Sequence, residues 1–209
     1  MRSEVFQRDE MVECGRLLWQ RNLLGATEGN LSCRLGEDRL LCTPSGFSKG
    51  HLSPHDLVVI DLSGAPIDPN SLRPSSEIRM HLGIYQQCPH IEAVVHAHPL
   101  NATAFALAGK TIPIEFLPEA LVELGPVALV PFAMPGTDEV PDSLIPFLER
   151  HRTFLLSNHG AVTTGGNLRE ATYRMEVLER IAQITTLSQA LGPPSSLSPA
   201  QLARFEEAY

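Results

Sequence analysis

The chain has 209 residues, of which 43% are hydrophobic and 19% charged, a balance that buries a core and excludes intrinsic disorder. Its formal net charge of -8 lacks the basic footprint needed for nucleic acid or an anionic membrane surface, although a small phosphate requires only a few aimed N–H groups. No apolar run approaches the roughly 20 residues of a membrane span and the first ten residues carry no signal-peptide core, so a cytoplasmic protein is expected.

Taken in chain order, Phe6, Met11, Cys14, Leu17 and Leu18 recur at helical spacing and predict an amphipathic helix over about Val5–Asn22. The polar turn Gly25–Asn30 breaks it. Short strands are expected around Leu31–Arg34, Leu40–Thr43 and Leu57–Asp61, each bounded by turn-forming residues. Pro74-Ser75-Ser76-Glu77 reads as a helix start, with Ile78, His81, Leu82 and Tyr85 beyond it and Pro89 as the stop. Ile91–Val95 is a buried strand, Leu100–Ala108 a helix, Val127–Pro131 a strand, Asp138–Arg150 a helix and Thr153–Ser157 a strand. The longest helical pattern runs over Leu168–Leu191 and is stopped by Pro193-Pro194, leaving Ser198–Tyr209 as a short helix or tail. Strands and helices intermingle over residues 1–209, but several strands lie too close for helical crossovers. An α/β domain with a mixed or mainly antiparallel sheet between helices follows. Neither GxGxxG nor GxxxxGK[ST] is present, so nucleotide binding has no local support. The four cysteines have no CxxC spacing and are expected as reduced thiols.

His96-Ala97-His98 closes the strand Ile91–Val95, and alternate strand residues point to one face, so both imidazoles project together. Such a pair suits two ligands of one ion, and equally two surface histidines. His159 sits where the apolar run Phe154–Leu156 gives way to a loop. Three histidines without a fourth ligand match a catalytic zinc with an open position better than a closed structural site. The remaining histidines (His51, His55, His81, His90 and His151) are scattered and read as ordinary. Glu77 has two readings. It either completes the cap of a first helical turn or stands near the open metal position and moves a proton. The turns at Gly29-Asn30-Leu31-Ser32, Thr43-Pro44-Ser45-Gly46 and Ser75-Ser76 together suggest a phosphate or carboxylate pocket. Lys49 and Lys110 show no activating context.

In this order Thr27–Ser32, Leu41–Gly46, Pro74–Glu77, Val94–His98 and Asn158–Gly160 resemble the class II aldolase/adducin family, its fuculose-phosphate aldolases in particular. The resemblance implies a three-layer α/β/α fold with a largely antiparallel central sheet. It also implies a homotetramer with sites between neighbouring subunits. It assigns His96, His98 and His159 to zinc (or to Mn2+ or Co2+), Glu77 to acid/base work, and Asn30, Ser45, Gly46, Ser75 and Ser76 to the substrate phosphate. The implied reaction is metal-dependent cleavage of a sugar phosphate like L-fuculose 1-phosphate to dihydroxyacetone phosphate and an aldehyde. A methylthioribulose-1-phosphate-like dehydratase, a ribulose-phosphate 4-epimerase and a 3-oxo-sugar-acid phosphate decarboxylase share the scaffold. A non-catalytic adducin-like role predicts loss of the histidines or the carboxylate, all of which are present. Two departures stand out. Leu117 occupies the place of the aldolases' proton-donating tyrosine, with Glu119 as the other candidate donor. Glu28 adjoins the phosphate turn and would repel a phosphate if it faced inward. Tyr209 is a candidate to close a neighbouring site.

Overall fold

The computed structural model describes residues 3–192 and 194–208 and contains a seven-stranded sheet between two helical layers. The strands are β1 (Asn30–Arg34), β2 (Arg39–Cys42), β3 (Val58–Asp61), β4 (Ala93–Ala97), β5 (Val127–Val130), β6 (Thr153–Leu156) and β7 (Gly160–Gly165). Their order is β3-β2-β1-β4-β7-β6-β5. Every pairing is antiparallel except β5 with β6, so the expected three-layer, largely antiparallel architecture holds.

The two faces of the sheet follow from strand alternation. Leu31, Cys33, Leu41, Val95 and Leu155 point to one side, where they pack against α1 (Glu4–Gln20), α3 (Leu100–Leu107) and α5 (Leu168–Leu191). Leu40, Cys42, Val94, Phe154 and Val162 point to the other, against α2 (Ile78–Gln87) and α4 (Glu139–Leu144). A final helix, α6, spans Pro199–Ala208. All four cysteines are buried and free, as expected of structural thiols. No described helix is long and apolar enough to cross a membrane.

Most elements lie within a residue or two of their predicted bounds. α5 matches at both ends, because the Asn167 side chain accepts from Glu170 N and starts it, and Gly192 follows its last turn. The expected helix Asp138–Arg150 is shorter: α4 ends at Leu144 and a 3₁₀ turn, Ile145–Phe147, takes over. Pro146 has no N–H to continue the α-helical ladder. Strand β7 and a π-helical turn at Ala120–Leu124 have no counterpart in the sequence pattern. Buried throughout and bracketed by glycine, Gly160-Ala161-Val162-Thr163-Thr164-Gly165 shows no alternation and looks like a loop. Pro193 and Tyr209 lie outside the described residues.

Candidate metal centre and active site

β4 carries the centre. His96 lies on its α2-facing side, directly across from Asn30 on β1 and Val162 on β7. His98 follows two residues later and turns the same way, so its Nε2 reaches 3.1 Å from His96 Nε2. His159 arrives through the β6–β7 hairpin, whose connection Ser157-Asn158-His159 is held by His159 N donating to Leu156 O at 3.0 Å. Asn158 takes the left-handed conformation (φ 58), which asparagine tolerates better than most side chains. Gly160 must then be glycine, because a Cβ there would lie 2.4 Å from His98 Cδ2 and 2.7 Å from Ala97 O. The unanticipated strand β7 is thus what carries His159 to its partners.

One nitrogen of each histidine, at His96, His98 and His159, lies within 4.8 Å of the others, a set that could hold a metal ion. Their outer hydrogen bonds fix the rings. His96 Nδ1–H donates to Ala161 O at 3.0 Å, and His98 Nδ1–H donates to the Glu28 carboxylate at 3.0 Å. Both Nε2 lone pairs therefore face each other, and two lone pairs at that separation need a cation between them, a proton or a metal ion. The donor set fits a divalent ion of the zinc type. Burial, together with neighbouring His96, pushes the His98 pKa down against the pull of Glu28.

Glu77 faces this cluster. It is the N-cap residue of α2, yet its side chain makes no cap hydrogen bond. Instead its carboxylate lies 3.1 Å from His159 Nε2 and 3.3 Å from His96 Nε2, and it accepts from Asn30 Nδ2 at 2.9 Å. Of the two readings open in the sequence, capping is not what this side chain does. Burial on its own would raise its pKa, but a proton on the adjoining His159 and His96 nitrogens outweighs it and holds the carboxyl far below its usual range.

The structure brings the other predicted site residues together in two loops. Ser45 N donates to Arg73 O and Ser75 N to Thr43 O, so the turn Pro44–Gly46 lies against Pro74–Ser76. Ser45, Gly46 and Ser76 are exposed there, while Ser75 is buried and its hydroxyl accepts from Glu77 N at 3.3 Å. Gly46 has a positive φ of 78, with open space around the position of a Cβ. Asn30 is different, because its amide is already engaged by Glu77 and by His81.

Three residues acquire roles that no local pattern signals. Glu28 bonds His98 and accepts from Gly25 N at 2.6 Å, which turns the carboxylate toward the histidines. Lys49, read as lacking an activating context, is buried. Its ammonium donates to Thr27 O at 2.6 Å and Phe47 O at 3.0 Å, tying the Glu28 loop to the Ser45–Gly46 loop. Burial lowers its pKa to about 8 against the opposing pull of Glu77 and Glu28. His81, read as ordinary, is fully buried behind Asn30. Leu117 is half-buried against the apolar core on the α1, α3 and α5 side, and Glu119 is exposed.

A profile of the Class II Aldolase and Adducin N-terminal domain family matches residues 9–186. Among curated proteins, the chain is 37% identical to a 3-oxo-tetronate 4-phosphate decarboxylase of Pectobacterium atrosepticum, over 87% of this chain and 84% of that one. It is 35% identical to an L-fuculose phosphate aldolase of Methanococcus maripaludis, over 87% of this chain and 97% of that one. Among solved structures, YgbL from Escherichia coli superposes with a TM-score of 0.88 at 32% identity, covering 97% of this chain and 98% of that one. An L-fuculose 1-phosphate aldolase superposes with a TM-score of 0.85 at 30% identity, covering 97% and 95%.

Proposed function

The chain belongs to the class II aldolase and adducin family as an enzyme of that superfamily, and from that premise we propose that it is a zinc-dependent carbon–carbon lyase whose favoured reaction is decarboxylation of a 3-oxo-tetronate 4-phosphate. The carrying observation is the Glu77 carboxylate, 3.1 Å from His159 and 3.3 Å from His96 inside a three-histidine cluster. A carboxylate not needed as a helix cap, held ionised beside a metal-type donor set, is placed for proton transfer to or from a bound substrate carbon.

Bound at His96, His98 and His159, a divalent ion supplies Lewis-acid stabilisation of the negative charge that develops beside the broken bond. The chain's own residues do the rest. The hydroxyls of Ser45, Ser75 and Ser76 and the backbone amides of Gly46 and Ser76 hold the phosphate, with Lys49 tying the Ser45–Gly46 loop to the Glu28 loop. Glu28 and the Ala161 carbonyl keep His98 and His96 in the tautomer that presents Nε2. Loss of the carboxyl as CO2 leaves the bond's electron pair on the carbon beside the ketone. A proton taken up from water and relayed through the Glu77 carboxylate ends on that carbon, and dihydroxyacetone phosphate results.

Decarboxylation is favoured over aldol cleavage because of Leu117. Aldol cleavage must also move a proton at the oxygen of the departing aldehyde, and a leucine packed against apolar core supplies none. Carbon dioxide leaves without that proton. The aldolase reading stands second, supported by the relative of which 97% is covered. We further propose that residues 1–209 act as one domain in a cytoplasmic homotetramer with sites between subunits. Incubation of zinc-loaded protein with 3-oxo-tetronate 4-phosphate should release CO2 and dihydroxyacetone phosphate, and EDTA should stop it. Release from L-fuculose 1-phosphate alone would favour the aldolase, and release from neither would refute both readings.

A further inference from the structure

We infer that His81 is a positioning residue for this reaction, acting through a buried row of hydrogen bonds, Tyr85–Ser32–His81–Asn30–Glu77, that locks the Asn30 amide with its NH2 toward Glu77. The inference rests on the lyase reading for its kinetic consequence, and on geometry alone for the row itself.

The direction of every link follows from the one at its end. Asn30 Nδ2 faces the Glu77 carboxyl at 2.9 Å, and an amide NH2 only donates, so the bond runs from Asn30 to Glu77. That orientation turns Asn30 Oδ1 toward His81 Nε2, 2.6 Å away. An amide oxygen also only accepts, so His81 carries its proton on Nε2. The neutral ring then offers Nδ1 as a lone pair, and Ser32 Oγ–H donates to it at 2.6 Å. Ser32 Oγ in turn accepts from Tyr85 O–H at 2.8 Å. No link can be reversed alone without setting two acceptors or two donors against each other. Burial pushes the His81 pKa down to about 3, with His96 adding to the shift and Glu77 opposing it, which keeps the ring neutral as the row requires.

The row can be built because two periodicities mesh. Glu77, His81 and Tyr85 recur every four residues along α2, a rise of about 6 Å per step. Asn30 and Ser32 are alternate residues of β1, spaced by about 6.8 Å and pointing the same way. Asn30, Ser32, His81 and Tyr85 are each at most 3% exposed, in a layer otherwise filled by Ile78, Met80, Ile84 and Val94. Such a polar row is costly to desolvate, so apolar residues would serve a purely packing role better. With Asn30 flipped, an amide oxygen would meet the Glu77 carboxylate, repel it and move it off His96 and His159.

The test uses zinc-loaded protein, with rates normalised to bound zinc, and the variants His81→Phe, His81→Gln, Ser32→Ala and Tyr85→Phe. His81→Phe should lower kcat about 10- to 100-fold with KM nearly unchanged, the loss typical of a reacting group misplaced by about 1 Å. His81→Gln, whose amide NH2 can donate to Asn30 Oδ1, should recover most of the rate. Ser32→Ala should be intermediate and Tyr85→Phe, at the far end of the row, should lose least. Nitrogen-15 NMR of histidine-labelled wild type should show His81 neutral with its proton on Nε2. A proton on Nδ1, or a His81→Phe variant with wild-type kcat, overturns the inference. Should His81→Phe not fold, a Tyr85→Phe loss exceeding that of Ser32→Ala overturns it equally. If wild-type protein turns over neither substrate, the lyase reading fails by itself, and the tautomer still decides the row.

Discussion

On the face of the sheet covered by α1, α3 and α5, the central strands present Leu31, Cys33, Val95 and Ala97, all buried in one apolar cluster. On the face covered by α2, the same two strands present Asn30, Ser32 and His96, equally buried but each hydrogen-bonded to a named partner. One face holds the fold by area and close packing, where the exact residue is replaceable at a cost in stability. The other holds a geometry, in which each polar group is bearable only because its neighbour satisfies it. Polar residues at alternate positions of a central, fully buried strand therefore mark the site more surely than any motif taken singly.

Substitutions on the two faces should separate function from stability. The largest effect is expected from His98→Ala, which should remove chelatable zinc and abolish turnover while circular dichroism stays native; wholesale unfolding would point to a structural metal instead. Glu77→Gln keeps the shape but not the base, and kcat should fall about 10²- to 10⁴-fold with zinc still bound. Glu28→Gln should weaken zinc binding about 10- to 100-fold in a chelator competition, since the charge behind His98 is removed. Met175→Ala, fully buried on the opposite face, should cost about 2–5 kcal/mol in denaturant melts and leave kcat per folded molecule unchanged. A Met175→Ala variant with normal stability and lost activity would break the division between the faces.

The smallest effect concerns Lys49. Its pKa falls from the ordinary 10.5 to about 8 on folding, so between those values the unfolded chain binds more protons than the folded one. Its contribution to stability should therefore grow as pH rises from about 8 to about 10.5, and be absent below. The buried thiols Cys14, Cys33 and Cys42 act in the opposite sense, because burial raises their pKa values. The stability of wild type minus that of Lys49→Met isolates the lysine. This difference should climb through the window, and a flat one would contradict the burial of its charge.

The histidine cluster was legible because its signal is local. Period-two alternation fixes the common direction of His96 and His98, and the end of an apolar run flags His159. Glu77 was half-legible, as a carboxylate at a helix start fits a cap as well as a site, and only its contacts separate the two. His81 and Glu28 were not legible, since their partners lie 51 and 70 positions away along the chain. The period-four row Glu77, His81, Tyr85 was nevertheless present in the sequence, as a polar stripe on the side of α2 that also carries buried residues. β7 escaped for the opposite reason. A strand buried on both faces lacks the alternation by which strands are recognised, and its terminal glycines imitate a loop.

The central claim is that Glu77 and a metal on three histidines share one carbanion-forming site, whichever group departs from the substrate. Decarboxylation and aldol cleavage both end in protonation of the same carbon of dihydroxyacetone phosphate, and that step can be run backwards. The decisive measurement is proton NMR of dihydroxyacetone phosphate incubated in D2O with zinc-loaded protein. One hydrogen of the hydroxymethyl carbon should exchange for deuterium, and the exchange should stop with EDTA and in Glu77→Gln. No exchange by zinc-loaded wild type, or undiminished exchange by Glu77→Gln, would contradict the assignment of that carboxylate and the reading built on it.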